Sequence, residues 1–142
     1  MIALIDDNSI ARDMRKFLNT WPDKPKNFTI EQLDTEPPAI MFQPLSGTRV
    51  VRTYIDGTMI CAWPFSVCYR VNLTDTAVKL SAYDLLESLA VWITDGRLPD
   101  LQGSRSALKI EQASTPSQIA IYSDGTEDYQ AMFTLEYKER KG

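Results

Sequence analysis

The chain has 142 residues, 44% hydrophobic and 24% charged, with a formal net charge of −4 and no histidine. That length makes one domain with a real core and that composition an ordinary globular protein, while no apolar run approaches a membrane span. An acidic chain, with a sequence pI near 4.8, is a poor fit to broad phosphate neutralisation but suits a protein that lets DNA slide past, and without histidine neither a Ser-His nor a Cys-His dyad can form.

The N-terminal stretch Met1-Ile2-Ala3-Leu4-Ile5-Asp6-Asp7 has no basic region and meets acid at once, which is not the pattern of a signal peptide and points to a cytoplasmic protein. Ile10, Met14, Phe17, Leu18 and Trp21 then recur at helical spacing, predicting a helix over about 9–21 capped by Asn8 or Ser9 and stopped at Trp21-Pro22. Its Arg12, Arg15 and Lys16 form a basic outer side, read as a solvated face before a contact with an acidic neighbour. Phe28, Ile30 and Leu33 suggest a short strand, and Pro37-Pro38 precedes a second at Ala39 to Phe42. After a turn at Ser46-Gly47, residues 48–72 read as a long hairpin closed by Asp56-Gly57, a pair suited to a two-residue turn with positive φ. The returning strand puts Met59, Trp63, Phe65, Val67, Tyr69 and Val71 on one face, and Pro64 predicts a sheet edge or a bend.

Thr74 or Asp75 is placed to cap the main helix, predicted over about 76–94. Val78, Ala82, Leu85, Leu86, Leu89 and Ile93 make its core stripe, leaving Leu80, Tyr83 and Trp92 outside it, where deep packing or a second subunit can account for them. Gly96 ends the helix and Arg97 complements its dipole. Residues 96–106 are long for a connection and are expected to be a mobile loop that orders on binding. Two strands follow at about 107–113 and 117–122, then a turn at Asp124-Gly125 and a last strand. That strand sets Tyr129, Ala131, Phe133, Leu135 and Tyr137 on one face and Asp128, Gln130, Met132, Thr134 and Glu136 on the other. A charged, flexible tail is expected over 138–142. The pieces Tyr54-Ile55-Asp56-Gly57-Thr58 and Tyr122-Ser123-Asp124-Gly125-Thr126 predict two hairpins with the same turn chemistry.

Chemistry-bearing constellations are sparse. Cys61 and Cys68 are seven apart, on opposite faces of a regular strand, which disfavours a mutual disulfide, and two cysteines without further soft ligands make no metal motif. No phosphate-cradling glycine loop is present. The carboxylates of Asp6 and Asp7, and of Asp124, Glu127 and Asp128, could serve as acid–base pairs or cation ligands, but each set sits at a helix start or a turn, where acids are favoured structurally. Asn27-Phe28-Thr29 and Asn72-Leu73-Thr74 match the glycosylation sequon, which carries no meaning without secretion. The alternating aromatics Trp63, Phe65 and Tyr69, and Tyr129, Phe133 and Tyr137, could stack bases, but only Arg70 interleaves with them, so core packing is the expected role. No catalytic residue, cofactor or metal is assigned, and the expectation is a protein that is not an enzyme.

The order of helix, strands, Tyr-x-Asp-Gly hairpin, Trp-Pro-Phe-Ser-Val-x-Tyr-Arg strand and long helix resembles the tail terminator, or "minor capsid", proteins of long-tailed phages of Gram-positive hosts. So does the closing Ser-Thr-Pro…Asp-Gly-Thr-Glu-Asp-Tyr-Gln-Ala run. The likeness covers roughly residues 8–138 and is sharpest at Pro64-Phe65, Tyr69-Arg70, Leu98-Pro99, Ser114-Thr115-Pro116 and Asp124 to Ala131. It implies an α+β fold, a mostly antiparallel sheet with helices on one face. It also implies a virion structural protein, from a phage or prophage. That protein would be assembled in the host cytoplasm and located at the tail–neck junction. Its ring, typically a hexamer, would cap the tail tube, stop its polymerisation and join it to the head's neck proteins, with DNA passing through without specific binding. Self, the tail-tube protein and the neck proteins are then the expected partners. A ring needs two different patches per subunit. The interface residues expected on this reading are Trp63, Phe65, Arg70, Leu80, Tyr83, Trp92, Asp124 and Glu127. The alternatives are a head-closure protein of the same neck region and a small-molecule or peptide-binding module with an aromatic-lined pocket.

Overall fold

The computed structural model describes residues 7–30, 37–45, 48–72 and 76–140. Leu33, the Ser46-Gly47 turn, Thr74, Asp75 and Gly142 lie outside the described residues, as do the side chains of Asn8, Ser9 and Val78. The elements run α1 (Asp7–Leu18), β1 (Thr29–Ile30), β2 (Ala39–Pro44), β3 (Arg49–Thr53), β4 (Met59–Asn72), α2 (Thr76–Ile93), β5 (Arg105–Ile121) and β6 (Thr126–Glu139). The fold is α+β: a six-stranded sheet in the order β1-β2-β4-β6-β5, with β3 pairing β4. All pairs are antiparallel except β1 with β2.

The centre of the sheet is β4 against β6, in register along their whole length from Met59 opposite Glu139 to Asn72 opposite Thr126. Because directly paired residues share a face, the odd-numbered apolar residues of both strands point together. Cys61 meets Tyr137, Trp63 meets Leu135, Phe65 meets Phe133 and Tyr69 meets Tyr129, with the Phe65 and Phe133 rings stacked at 5.5 Å. On this face lie the helices. Ala82, Leu86, Leu89 and Ile93 of α2 are buried, as are Ile10, Met14 and Leu18 of α1, and all join the sheet residues in one core. Trp92 links the two helices, stacking on Phe17 at 5.0 Å and leaning on Trp21 at 6.4 Å. The hydrophobic term is largest here: each fully buried aromatic contributes about 2–3 kcal/mol relative to exposure.

Several local expectations change. Pro64 sits neither at an edge nor at a bend, but inside a strand paired on both sides. It falls where the partner on one side of β4 switches, from β3, whose pairing ends at Ala62, to β2, whose pairing begins at Phe65. The N and O of one antiparallel residue point to the same side, and Pro64 O accepts from Leu45 N (2.9 Å), so the missing N–H faces that junction and costs no ladder bond. The stretch expected as two strands is the single strand β5, with register shifts between Ala107 and Lys109, Gln112 and Ser114, Ser114 and Ser117, and Gln118 and Ala120. Pro116 is tolerated there because, among the described residues, β5 pairs only with β6 and its other side is an edge. The charged tail begins later than expected, since β6 holds Lys138 and Glu139, and Arg140 N donates to Ser104 O (3.0 Å). The loop after α2 likewise ends at Ser104, with Arg105 already paired to Glu139.

The two hairpins share their turn chemistry atom for atom. Tyr54 N donates to Thr58 O (2.8 Å) and Gly57 N to Tyr54 O (2.9 Å); Tyr122 N donates to Thr126 O (2.9 Å) and Gly125 N to Tyr122 O (3.1 Å). Each loop therefore has three residues, not two, and a single glycine carries the positive φ, 89° at Gly57 and 91° at Gly125. The aspartate takes another role. Asp56 accepts the Thr58 N–H (2.9 Å), and Asp124 accepts the Thr126 hydroxyl (2.7 Å) and the Thr126 N–H (3.0 Å). The Thr58 N–H lowers the Asp56 carboxyl, and the Thr126 hydroxyl, followed by its N–H, lowers that of Asp124.

Candidate functional site

The residues expected at an interface separate into core, framework and surface. Trp63 and Phe65 are fully buried against the helices and present nothing to another subunit, because the odd face of β4 is the covered one. Tyr83 is half-buried, its ring set edge-on to Tyr129 at 5.1 Å. Trp92 is also half-buried and is occupied in joining α1 to α2. Leu80 alone among the apolar members is open, 58% exposed on the outer side of α2.

The polar members meet at one end of the β4–β6 ladder. Arg70 and Asp128 are direct cross-strand partners on the face away from the helices. The guanidinium grips the carboxylate with both arms, Nε to Oδ1 at 2.7 Å and Nη2 to Oδ2 at 2.9 Å. Tyr122 Oη also donates to Asp128 Oδ2 (2.9 Å), and its ring lies 4.8 Å beneath the Arg70 guanidinium. The carboxylate raises the Arg70 pKa further above its ordinary value, and its hydrogen bond raises that of Tyr122. Two of these partners, Tyr122 and Asp128, were read in the sequence only as a turn residue and a possible acid. Their union with Arg70 depends on the register of β4 with β6, which the sequence does not print.

Glu127 points to the other face, where it is buried and accepts from Tyr129 Oη (3.0 Å) and from Gln118 Nε2. Reversing its charge would break these buried bonds. Asp124 is exposed and satisfies only its own turn. Cys61 and Cys68 are both buried and free, as their odd separation implied, and burial pushes the Cys68 thiol up to about 12.

Among the described residues, a small hollow of about 320 Å³ lies between α2 and β5, lined by Glu87, Val91, Gln112, Thr115 and Pro116, and two further concavities lie elsewhere. A cleft of about 650 Å³ runs between α1 and the segment after α2, floored by Phe17 and Trp92 and rimmed by Lys16, Arg97 and Asp100. Its wall is fixed by Asp13, which is buried and accepts from Gln102 N (2.9 Å). A second hollow of about 730 Å³ lies at the β3–β4 hairpin, among Tyr54, Ile55, Ile60, Leu108 and Lys138. Sequence reasoning missed all three, because each joins segments far apart in the chain. Among the described residues no helix is long and apolar enough to cross a membrane, and no group of three or more His, Cys, Asp or Glu residues is placed to hold a metal ion. No protein-family model and no curated protein matches the chain.

Proposed function

We propose that this chain is a virion structural protein, a tail terminator. Its copies close into a ring, a hexamer on this reading, that caps the tail tube, stops the tube protein from polymerising and joins the tail to the head's neck proteins. The resemblance of the hairpin, Pro64-Phe65, Tyr69-Arg70 and Asp124–Ala131 motifs leads to this reading, and an α+β sheet with its helices on one face agrees with it. One structural observation supports it most. Large apolar side chains stand exposed on several regions, among them Ile55 and Leu108 at the hairpin hollow and Leu80 and Val91 on α2, with Ile119 and Ile121 on β5 as well. Isolated surface hydrophobes are normal, but two such regions on different sides of one subunit are what a heterologous, ring-closing contact requires. The net charge of −4 suits a ring through which DNA moves without sticking.

The test is tube growth. The tail-tube protein that this reading expects to be encoded immediately downstream is polymerised with and without the chain, and tube lengths and ends are measured by electron microscopy. Capped tubes of arrested length, with a ring at one end, are expected; tubes that grow equally long in its presence reject the reading. A peptide- or small-molecule-binding module is the second reading, favoured by the aromatic-floored cleft at Phe17 and Trp92. It predicts a stable monomer whose Trp92 fluorescence responds to ligand, with no effect on tubes.

A further inference from the structure

The outer side of α2 carries a narrow mixed stripe. At 100° per residue, Leu80, Asp84, Glu87 and Val91 fall within about 60° of arc, opposite the buried Ala82, Leu86, Leu89 and Ile93. Leu80 is 58% and Val91 72% exposed, so two large apolar side chains point straight outward with two carboxylates between them. The stripe is about 16 Å long at 1.5 Å per residue.

A surface of opposite character lies on the far side of the sheet. Arg49 pairs with Ala62 and Arg52 with Ile60, and the register shift between Val50 and Arg52 absorbs Val51. Residues three apart on a regular strand face opposite ways; this shift turns both arginines to the same side. That side is the one away from the helices, since Ala62 and Ile60 alternate with the core residues Cys61 and Trp63. Lys138 joins them from the other flank of Ile60. The 730 Å³ hollow opens there, walled by Tyr54, Ile55, Ile60 and Leu108, with Leu108 at the β5 register shift and Ile55 fully exposed. Two acids stand on this side: Asp56, whose carboxylate already accepts from Thr58, and Glu136, the β6 partner of Ala62, which is paired on its other side with Lys109. Among the described residues, Arg49, Arg52, Asp84 and Glu87 carry no ion pair with one another or with any other group.

We propose that these two surfaces are one contact: the Leu80–Asp84–Glu87–Val91 stripe of one copy seats on the next copy in the hollow lined by Lys138, with Arg49 and Arg52 beside it on the same face of the sheet. Apolar side chains meet apolar walls, and two unpaired acids meet the basic rim. The lengths agree, since β3 spans about 17 Å at 3.4 Å per residue. The surfaces lie on opposite faces of one sheet, so a chain cannot satisfy its own stripe, and the contact is head-to-tail, the geometry that closes rings. The inference rests on the ring reading above and names which surfaces make the ring.

Native mass spectrometry of the full chain up to about 200 µM, a concentration that reveals micromolar association, tests it through charge exchange. Arg49→Glu/Arg52→Glu and Asp84→Lys/Glu87→Lys are each expected to weaken self-association roughly a hundredfold by placing like charges face to face. Mixing the two variants restores it, because each acidic hollow then meets a basic stripe and each basic hollow an acidic stripe. Ile55→Asp, which alters no existing pair, is expected to weaken association too, and unfolding midpoints unchanged from wild type show that each variant is folded. Wild-type rings that persist in either charge variant, or a mixture that fails to reassemble, overturn the contact while leaving the terminator reading intact. A wild-type chain that stays monomeric over the whole range also overturns it, and the terminator reading is then decided separately by whether the chain arrests tubes.

Discussion

Removing the Arg70 guanidinium should cost about 3 kcal/mol of folding stability. Arg70→Met keeps the stem but deletes two charge-assisted hydrogen bonds, at 2.7 and 2.9 Å, to a carboxylate that is 4% exposed. Such bonds contribute about 1.5–3 kcal/mol each. The lower end applies because the Arg70 side chain keeps 27% of its surface in water. What remains is a buried carboxylate held by one neutral donor, Tyr122 Oη. Most of the loss is therefore the stranded charge and not the attraction that was removed. Asp128→Asn alone should cost about 1.5 kcal/mol, since a guanidinium with 27% of its side chain already in water rehydrates more readily than a buried carboxylate. The double variant strands no charge and should cost about 2–2.5 kcal/mol, well short of the sum, a coupling near 2 kcal/mol. Urea unfolding followed by tryptophan fluorescence measures all three, because Trp21 and Trp63 are buried in the native core. Arg70→Met is also expected to lower Tm by roughly 10 °C in a chain of this length. A loss below about 1 kcal/mol for Arg70→Met, or a double variant equal to the sum of the singles, refutes the argument.

Other consequences are measured the same way. Phe133→Ala removes the ring stacked on Phe65 from a fully buried site and should cost about 3–5 kcal/mol by urea unfolding. Gly125→Ala meets no atom within 4 Å, so its expected cost of about 1 kcal/mol comes only from the backbone at φ +91°. Burial holds the Cys68 thiol at about 12 against an ordinary 9.0. The unfolded chain therefore ionises first, and the stability held by the protonated thiol is complete below pH 9 and fades as pH rises toward 12. Tyr69, Tyr129 and Tyr137, all raised chiefly by burial, add to the same alkaline loss. The urea midpoint should fall between pH 9 and 11, less steeply in Cys68→Ala, and Cys68 should resist alkylation at pH 8 until the chain unfolds. Asp124→Lys should lower the urea midpoint only modestly, because it removes the exposed acceptor of the Thr126 N–H and hydroxyl, whereas Glu127→Lys should destabilise the fold sharply by breaking buried bonds.

The architecture was legible wherever one strand face is apolar throughout. The odd residues of 59–71 and 129–137 announced the covered face of β4 and β6, and the 3.6-residue spacing of Ala82, Leu86, Leu89 and Ile93 announced the side of α2 that meets it. The two Asp-Gly signals located both hairpins, although the aspartates bond Thr58 and Thr126 instead of taking up positive φ, so the loops are one residue longer. Legibility failed at Pro64 and along β5, where pairing and not local propensity decides. A proline reads as an edge from sequence alone, and only the handover from β3 to β2 shows how a paired strand tolerates it.

Surface function is harder to read for the same reason. Trp63 and Phe65 drew attention as large aromatics, yet size and apolarity are what the core selects, so the most conspicuous residues are the least available to a partner. Asp84, Glu87, Arg49 and Arg52 look like routine solvated charges one at a time. They acquire meaning only through two tertiary facts. Asp84 and Glu87 stand between Leu80 and Val91 on the side of α2 opposite the core. Arg49 and Arg52 share a face only because of the register shift at Val51. Deleting Val51 would restore regular register and leave Arg49 and Arg52 two apart on the strand, still on one face, with net charge unchanged. If the contact between copies needs only that the two arginines share this face, the deletion variant should self-associate in native mass spectrometry as wild type does, unlike Arg49→Glu/Arg52→Glu. Association lost in a folded deletion variant would mean that the shift itself, and not only the shared face, has a part in assembly.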